Sequence, residues 1–326
     1  MKILVLGAAG MIGRKLIERL LRDGKLRGQA ITSIHAFDVV EAQLEDAGTI
    51  ALVTEAGDIT HAQTVANLVS HKPDVIFHFA AIVSGEAEAD FDKGYRINLR
   101  GTQNLFDAIV DQKGYVPRVV YASSIAVFGA PFPSSIQDDF HQTPLTSYGT
   151  QKAIGELLLA DYTRKGLMDG IGLRFPTIVV RPGKPNAAAS GFFSNIIREP
   201  LSGQSAVLPV EKDVMHWVAS PRSAVGFAVH AAEIEGDVVG PRRNLTLPGL
   251  AITVGEMIQA LENVAGKKTA DLIEEKRDET IVGIVDNWPK RFIADRAVEL
   301  GFTAETSFED IIHAHVEDEL DGRLPA

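Results

Sequence analysis

A doubly wound α/β fold with a parallel central sheet is the class this sequence predicts, and three observations predict it. Short β-rich runs alternate with helix-periodic stretches through the first half of the chain. A glycine-rich turn, Gly7-Ala-Ala-Gly10-Met-Ile-Gly13, stands at the first strand-to-helix junction. The apolar fraction of 45% over 326 residues supplies a full core for one large domain or two modest ones.

The elements follow in order. Ile3–Leu6 reads as the first strand, and Met11–Leu21 as a helix with Ile12, Leu16 and Leu20 on one face. Ile34–Phe37 is a second strand, Ala51–Val53 a weaker third and Val75–Phe79 a fourth. A long helix is predicted from about Asp92 to Val110, then a strand over Arg118–Ala122. A loop rich in Pro, Ser and Asp, Gly129–Thr146, leads to a helix beginning near Ser147, and Ile171–Phe175 looks like a sixth strand. Beyond it Pro176, Pro182, Pro185, Pro200 and Pro209 break the alternation. Ser220–Ala232 reads as a helix able to pack back onto the first part, and Phe308, Ile311, Ile312, His315 and Val316 give a last helix with an apolar face.

Composition excludes several classes. A formal charge of -11 and the lack of a basic run argue against nucleic acid, whose phosphates need an excess of Lys and Arg. The chain has no cysteine, which removes disulfides, thiolate catalysis and Cys-ligated metals, and suits a reducing compartment. Met1–Leu6 is too short an apolar run for a secretion signal, and no stretch of about 18 apolar residues exists for a membrane span. A cytoplasmic protein is therefore expected. His61 with His71, and His313 with His315, lack ligand spacing with carboxylates on a shared helix face. They read as solvated, and no metal is expected.

The glycine turn implies a dinucleotide. Glycines allow a tight turn and close approach of backbone to a pyrophosphate, and the helix N-terminus at Met11 and Ile12 then faces the phosphates. Asp38 ends the second strand, 25 residues after Gly13. A carboxylate there accepts both ribose hydroxyls and repels a 2′-phosphate, so NAD is favoured over NADP. Asp58 and Ile59 follow the third strand, where they can meet the adenine edge. Ala80 and Ala81 close the fourth strand with side chains small enough to lie beside a cofactor. Residues 1–175 thus read as a Rossmann-type NAD-binding domain, with a return of about 212–240, and 176–326 as mainly a substrate-binding part.

Tyr148 and Lys152 stand one helical turn apart on one face. An ammonium beside a phenol is expected to lower the phenol's pKa, giving a base for an alcohol proton while hydride leaves carbon. Ser123-Ser124 ends a strand of the same sheet, where a hydroxyl can hold the substrate oxygen. Asn98, on the long helix, can hold a water that relays the proton to Lys152.

In this order the residues resemble the extended short-chain dehydrogenase/reductase family over nearly the whole chain. The marks are Gly7 to Gly13, Asp58-Ile59, His78-Phe-Ala-Ala81, Asn98, Ser123-Ser-Ile-Ala-Val-Phe-Gly129 and Tyr148-Gly-Thr-Gln-Lys152. The resemblance implies that Tyr148 is the acid/base and Lys152 its activator and ribose ligand. It implies that Ser124, directly before Ile-Ala-Val-Phe-Gly, orients the substrate, that Asn98 supports the relay, that Pro176 adjoins the cofactor, and that the protein is a homodimer.

Departures narrow the chemistry. Ile125 and Ala126 stand where the family's dehydratases carry Asp and Glu, and Thr177 where its epimerases carry Asn. The run Arg174–Ser190, with Ile82–Ala87, Arg198–Leu201 and His216–Arg222, is similar to members that oxidise the C2 hydroxyl of a four-carbon sugar acid, D-erythronate. Ser84, Thr177, Arg181, Asn186, Ser190 and His216 are then the expected substrate contacts, with a cation such as Arg181 for the carboxylate. The alternatives are a nucleotide-sugar epimerase of the same family, which releases no net NADH, and a non-catalytic NAD-binding regulator.

Overall fold

The computed structural model describes residues 1–45, 48–183 and 190–324. Strand β1 (Lys2–Leu6) buries every residue from Ile3 to Leu6, because helices cover both faces of a parallel sheet. Helix α1 (Met11–Asp23) buries Leu16, Ile17 and Leu20 and stops at Gly24, which takes the left-handed conformation a helix end favours. A hairpin of Lys25–Leu26 with Gln29–Ala30 comes next. Two residues a side are too few to leave a periodic signal.

There follow β2 (Ser33–Asp38), β3 (Ala51–Ala56), α2 (Ala62–Ser70), β4 (Val75–His78) and α3 (Ser84–Ala89). The helix expected from about Asp92 to Val110 is three joined pieces: α4 (Phe91–Gly94), a π-helical segment (Tyr95–Gly101) and α5 (Thr102–Asp111). Such bulges gather at functional sites, and this one carries Asn98. Next come β5 (Arg118–Ser124), α6 (Ser147–Arg164) and β6 (Asp169–Phe175).

The seven strands of the described main sheet are parallel, in the order β9-β6-β5-β4-β1-β2-β3, where β9 is Asn244–Thr246. Winding reverses between β1 and β4, which opens a crevice at the C-terminal strand ends. One face is packed by α1 and by α8 (Pro221–Glu233), so that Phe227 and Ala228 share a core with Ile3, Val5 and Phe77. On the other face Leu4, Leu6, Phe37 and Ile76 meet Leu105 and Phe106 of α5.

A smaller sheet joins β7 (Thr177–Ile178), β8 (Met215–Ala219) and β10 (Leu250–Thr253). Around it lie α7 (Gly191–Leu201), α9 (Val254–Ala265), α10 (Glu279–Val285) and α11 (Phe308–Glu319). Their core includes Phe193, Ile196, Met257, Leu261, Phe308 and Ile312. His315 is buried on the apolar side of α11 and not solvated, because helical spacing carries it inward with Ile311 and Ile312. Among the described residues no helix is long and apolar enough to cross a membrane.

Candidate active site

The glycine turn is shaped by contacts that leave no room for a side chain. Gly7 has φ +91°, and a Cβ there would lie 2.6 Å from the Ala80 nitrogen. A Cβ on Gly13 would lie 2.1 Å from the Gly7 carbonyl oxygen. The turn is thereby pressed against Ala80 on one side and against α1 on the other. Gly10 caps α1 with no side-chain hydrogen bond, so the first N–H groups of the helix, at Met11 and Ile12, are left for a ligand. Asp38 ends β2 and reaches back: its Oδ2 accepts the Ala9 N–H at 2.9 Å and its Oδ1 the Val39 N–H at 2.6 Å. Each oxygen keeps a free acceptor site. This cradle of glycines, helix terminus and carboxylate fits a dinucleotide with an unphosphorylated ribose.

The other residues expected at the cofactor divide. Asp58 accepts the Thr60 N–H at 2.8 Å. Burial pushes its carboxyl up, but the Thr60 hydrogen bonds, with His61 and Arg96, outweigh this and hold it below its ordinary value. Ile59 turns its side chain into the core, against Gly101. Pro176 is buried directly after β6.

Tyr148 and Lys152 lie in the first turns of α6, which begins at a Thr146 cap accepting the Gly149 N–H. Gly149 lets the helix close on the turn after β5, since a Cβ there would lie 2.1 Å from the Ala126 carbonyl oxygen. That approach brings Tyr148 to Ser124, whose hydroxyl reaches the phenol. Lys152 is buried; its Nζ donates to the Ala122 carbonyl at 2.7 Å and sits 5.7 Å from the centre of the Tyr148 ring.

The electrostatics correct the expectation of a lowered phenol. Burial pushes Tyr148 up to about 12, with the Ser124 hydroxyl pulling the other way. Burial pushes Lys152 down to about 8, against the pull of Glu156. A desolvated ion pair is opposed at both ends, and the attraction of an amine one turn away does not reverse that. Asn98 is buried with its carboxamide engaged: Oδ1 accepts the Ile82 N–H at 2.8 Å, while Nδ2 donates to the Ile82 carbonyl at 3.2 Å and to Gln151 at 2.8 Å. It clamps the chain after β4 to α6 through both ends of its amide, while Oδ1 keeps a second acceptor site.

Of the expected substrate residues, Thr177 and His216 meet each other, with 2.6 Å between Oγ1 and Nε2. His216 is buried, stacked on Phe193 at 5.1 Å with Trp288 5.2 Å away, and burial lowers it to about 4, so it is neutral. Its Nε2 is taken up by the Thr177 hydroxyl. Arg181 is partly buried, and among the described residues its guanidinium has no ion pair or hydrogen bond. Burial, then the neighbouring Arg198, lower its pKa. Ser84 is exposed at the start of α3, and Ser190 is partly buried before α7. Asn186 lies outside the described residues.

Sequence reasoning missed Glu156, Arg174, Gln151 and Trp288. Glu156 had a signal, for it continues the Tyr148, Lys152 spacing by one more turn; the partners of the others are distant in the chain.

Residues 3–219 match the model of the NAD dependent epimerase/dehydratase family. The chain is 45% identical over 322 residues to D-erythronate dehydrogenase of Cupriavidus necator, covering 98% of each. It is 37% identical over 317 residues to D-erythronate dehydrogenase of Haemophilus influenzae, covering 97% of this chain and 99% of the relative. A solved structure described as a nucleoside-diphosphate-sugar epimerase, from Agrobacterium tumefaciens, superposes with a TM-score of 0.97 at 59% identity, covering 100% of this chain and 96% of that one. The holo L-threonine dehydrogenase of Cupriavidus necator, at TM-score 0.84 and 20% identity, covers 98% and 99% and shares the fold. With the family model spanning all but the last strands of the main sheet and its neighbour, the chain belongs to the NAD dependent epimerase/dehydratase family, and NAD is its cofactor.

Proposed function

We propose that this protein is a dehydrogenase that oxidises D-erythronate at C2, giving 2-dehydro-D-erythronate and NADH. The observation that carries the reading is the Tyr148–Lys152–Ser124 grouping in a chain alike, over nearly its full length, to two D-erythronate dehydrogenases. The cofactor, when bound, supplies acceptance of a hydride from carbon. Tyr148, as phenolate, takes the proton of the C2 hydroxyl as that hydride leaves, and protonated Lys152 stabilises the phenolate. Ser124 fixes the reacting oxygen. Thr177 is held in one orientation by neutral His216 and meets a second hydroxyl. Arg181, a partly desolvated cation without a protein partner among the described residues, receives the carboxylate. Asp38 accepts the ribose hydroxyls.

The reading extends to a homodimer at work in the cytoplasm. Phe91, Val110 and Leu157 are exposed on α4, α5 and α6, where a second copy would cover them. Sedimentation across a range of concentrations tests this.

An epimerase reading has the 59% identity with the structure so described behind it. Against it stands Thr177, tied to a buried imidazole at the place where the family's epimerases carry Asn. One assay separates the two. The protein is incubated with NAD and, in turn, D-erythronate, its stereoisomers and UDP-sugars, while NADH absorbance and sugar products are followed. D-Erythronate should give sustained NADH. Silent conversion of a UDP-sugar, with no NADH from any sugar acid, would refute the dehydrogenase.

A further inference from the structure

Glu156 has no exposed surface, yet four groups from other parts of the chain converge on it. Arg174 of β6 donates through Nε at 3.0 Å and 3.1 Å and through Nη2 at 2.8 Å. The Ser123 hydroxyl at the end of β5 donates to Oε1, and Gln142 of the loop before α6 donates to Oε2. Asn244 of β9 donates to its backbone carbonyl at 3.1 Å. A buried ion pair is seldom needed for stability, since apolar residues of like volume serve as well. Its place is what sets this one apart. Glu156 is one turn below Lys152 on the face that carries Tyr148, and Ser123 adjoins Ser124.

We propose that Glu156 is a positioning residue for the oxidation: it fastens the strand end that carries Ser124 and sets a fixed negative charge beside the Lys152 amine. The proposal rests on the reading of Tyr148 and Lys152 as the reacting pair. Among the described residues, the other groups that face Lys152 are few. They are the Ala122 carbonyl at 2.7 Å and the Tyr121 ring at 5.0 Å from β5, Tyr148 on its own helix, and His78 of β4, which burial lowers to about 3 and so leaves uncharged. Among the described residues Glu156 is the carboxylate that pulls Lys152 towards its charged form.

This arrangement has a kinetic signature. The active form, phenolate with ammonium, has lost one proton, as has the more abundant phenol with neutral amine. The oxidation rate therefore rises tenfold per pH unit below the break set by the amine and levels off above it. Removing the Glu156 charge lowers the amine's proton affinity. The break then moves to lower pH, the plateau falls by the same factor, and the rates below the new break stay as they were. A shift of about one unit, hence a tenfold lower plateau, is the size expected of a neighbouring charge.

The test is the pH profile of kcat for Glu156→Gln beside wild type. Because that variant strands Arg174 and can fail to fold, Glu156→Gln/Arg174→Met is made as well, an uncharged pair of similar volume; it removes a cation along with the carboxylate, so its break should move in the same direction but less than that of Glu156→Gln. Ser123→Ala keeps the charge and should leave the break where it is. Equal loss of rate at every pH in the charge variants, with the break unmoved, would overturn the proposal. Titration of the Lys152 side chain by nitrogen-15 NMR, its signal assigned by loss in Lys152→Arg, reads the same shift without a substrate. An unshifted amine overturns the proposal even if the wild type proves inactive on sugar acids, whereas a shifted amine in an inactive protein overturns only the substrate reading.

Discussion

Asp38→Ala isolates the part of the crevice that distinguishes NAD from NADP. In the structure the carboxylate spends one acceptor site of each oxygen on the Ala9 and Val39 N–H groups. The remaining sites are assigned to the two ribose hydroxyls. A hydrogen bond to a charged group contributes about 1.5–3 kcal/mol, so losing two at the low end costs about 3 kcal/mol. That is roughly a hundredfold in Kd. Isothermal titration with NAD should show this weakening, while NADP, which no longer meets a repelling carboxylate, should bind the variant better than it binds the wild type. Ala9 and Val39 also lose their acceptor, so the fold is checked by circular dichroism and thermal melting first. An NAD affinity within twofold of wild type, in a folded variant, would refute the placement of the ribose at Asp38.

The remaining predictions concern the reacting groups and the turn. Tyr148→Phe should lower kcat by at least about a thousandfold with NAD affinity within twofold, as for loss of a proton-transfer group; near-normal turnover would remove Tyr148 from the chemistry. Wild-type oxidation should rise tenfold per pH unit up to about pH 8, where Lys152 titrates, and then level off, because its phenol partner at about 12 stays mostly protonated over that range. A rate that is flat from pH 6 to 8 would contradict this order of proton loss. Arg181→Met should raise KM for the sugar acid by roughly a hundredfold with little change in kcat, and should raise the melting temperature slightly, since it removes a poorly solvated cation. A lower melting temperature would point to an ion pair instead. Gly7→Ala forces a left-handed conformation and an overlap with Ala80, together about 3 kcal/mol, which should lower Tm by roughly 4–5 °C and weaken NAD binding.

What could be read from the chain and what could not divides along sequence separation. The glycine turn, the strand ending at Asp38 and the Tyr148, Lys152 pair are all set by spacings of a few residues, which helix and strand periodicity translate directly into space. The π-helical segment left no periodic signal; it is bracketed by two close approaches to parts of the chain distant in sequence, where a Cβ at Gly94 would meet Gln151 and one at Gly101 would meet Ile59. Thr177 and His216, expected as separate substrate contacts, are 39 residues apart in sequence and bonded to each other. Ile59, beside a strand end, puts its hydrophobic side chain into the core, which its place in the motif does not reveal. The raised phenol follows the same pattern, since the desolvation comes from the surrounding fold and no local motif encodes it.

That last point bears on what the Tyr–Lys motif does by itself. The pair needs opposite charges to work, and burial opposes both of them, raising the phenol to about 12 and lowering the amine to about 8. Each member is helped by one neighbour from outside the motif. Ser124 favours the phenolate and Glu156 the ammonium, and Ser123 binds these two helpers into one rigid unit through its bond to Glu156. Burial is still required, because water admitted to relieve the pair would also screen the interactions on which proton and hydride transfer depend. It follows that a helix carrying only Tyr148 and Lys152, moved to another sheet, would hold a neutral phenol beside a weakly basic amine. The reactive unit is the helix face together with the end of β5, and activity should track the bond between them more closely than the motif itself.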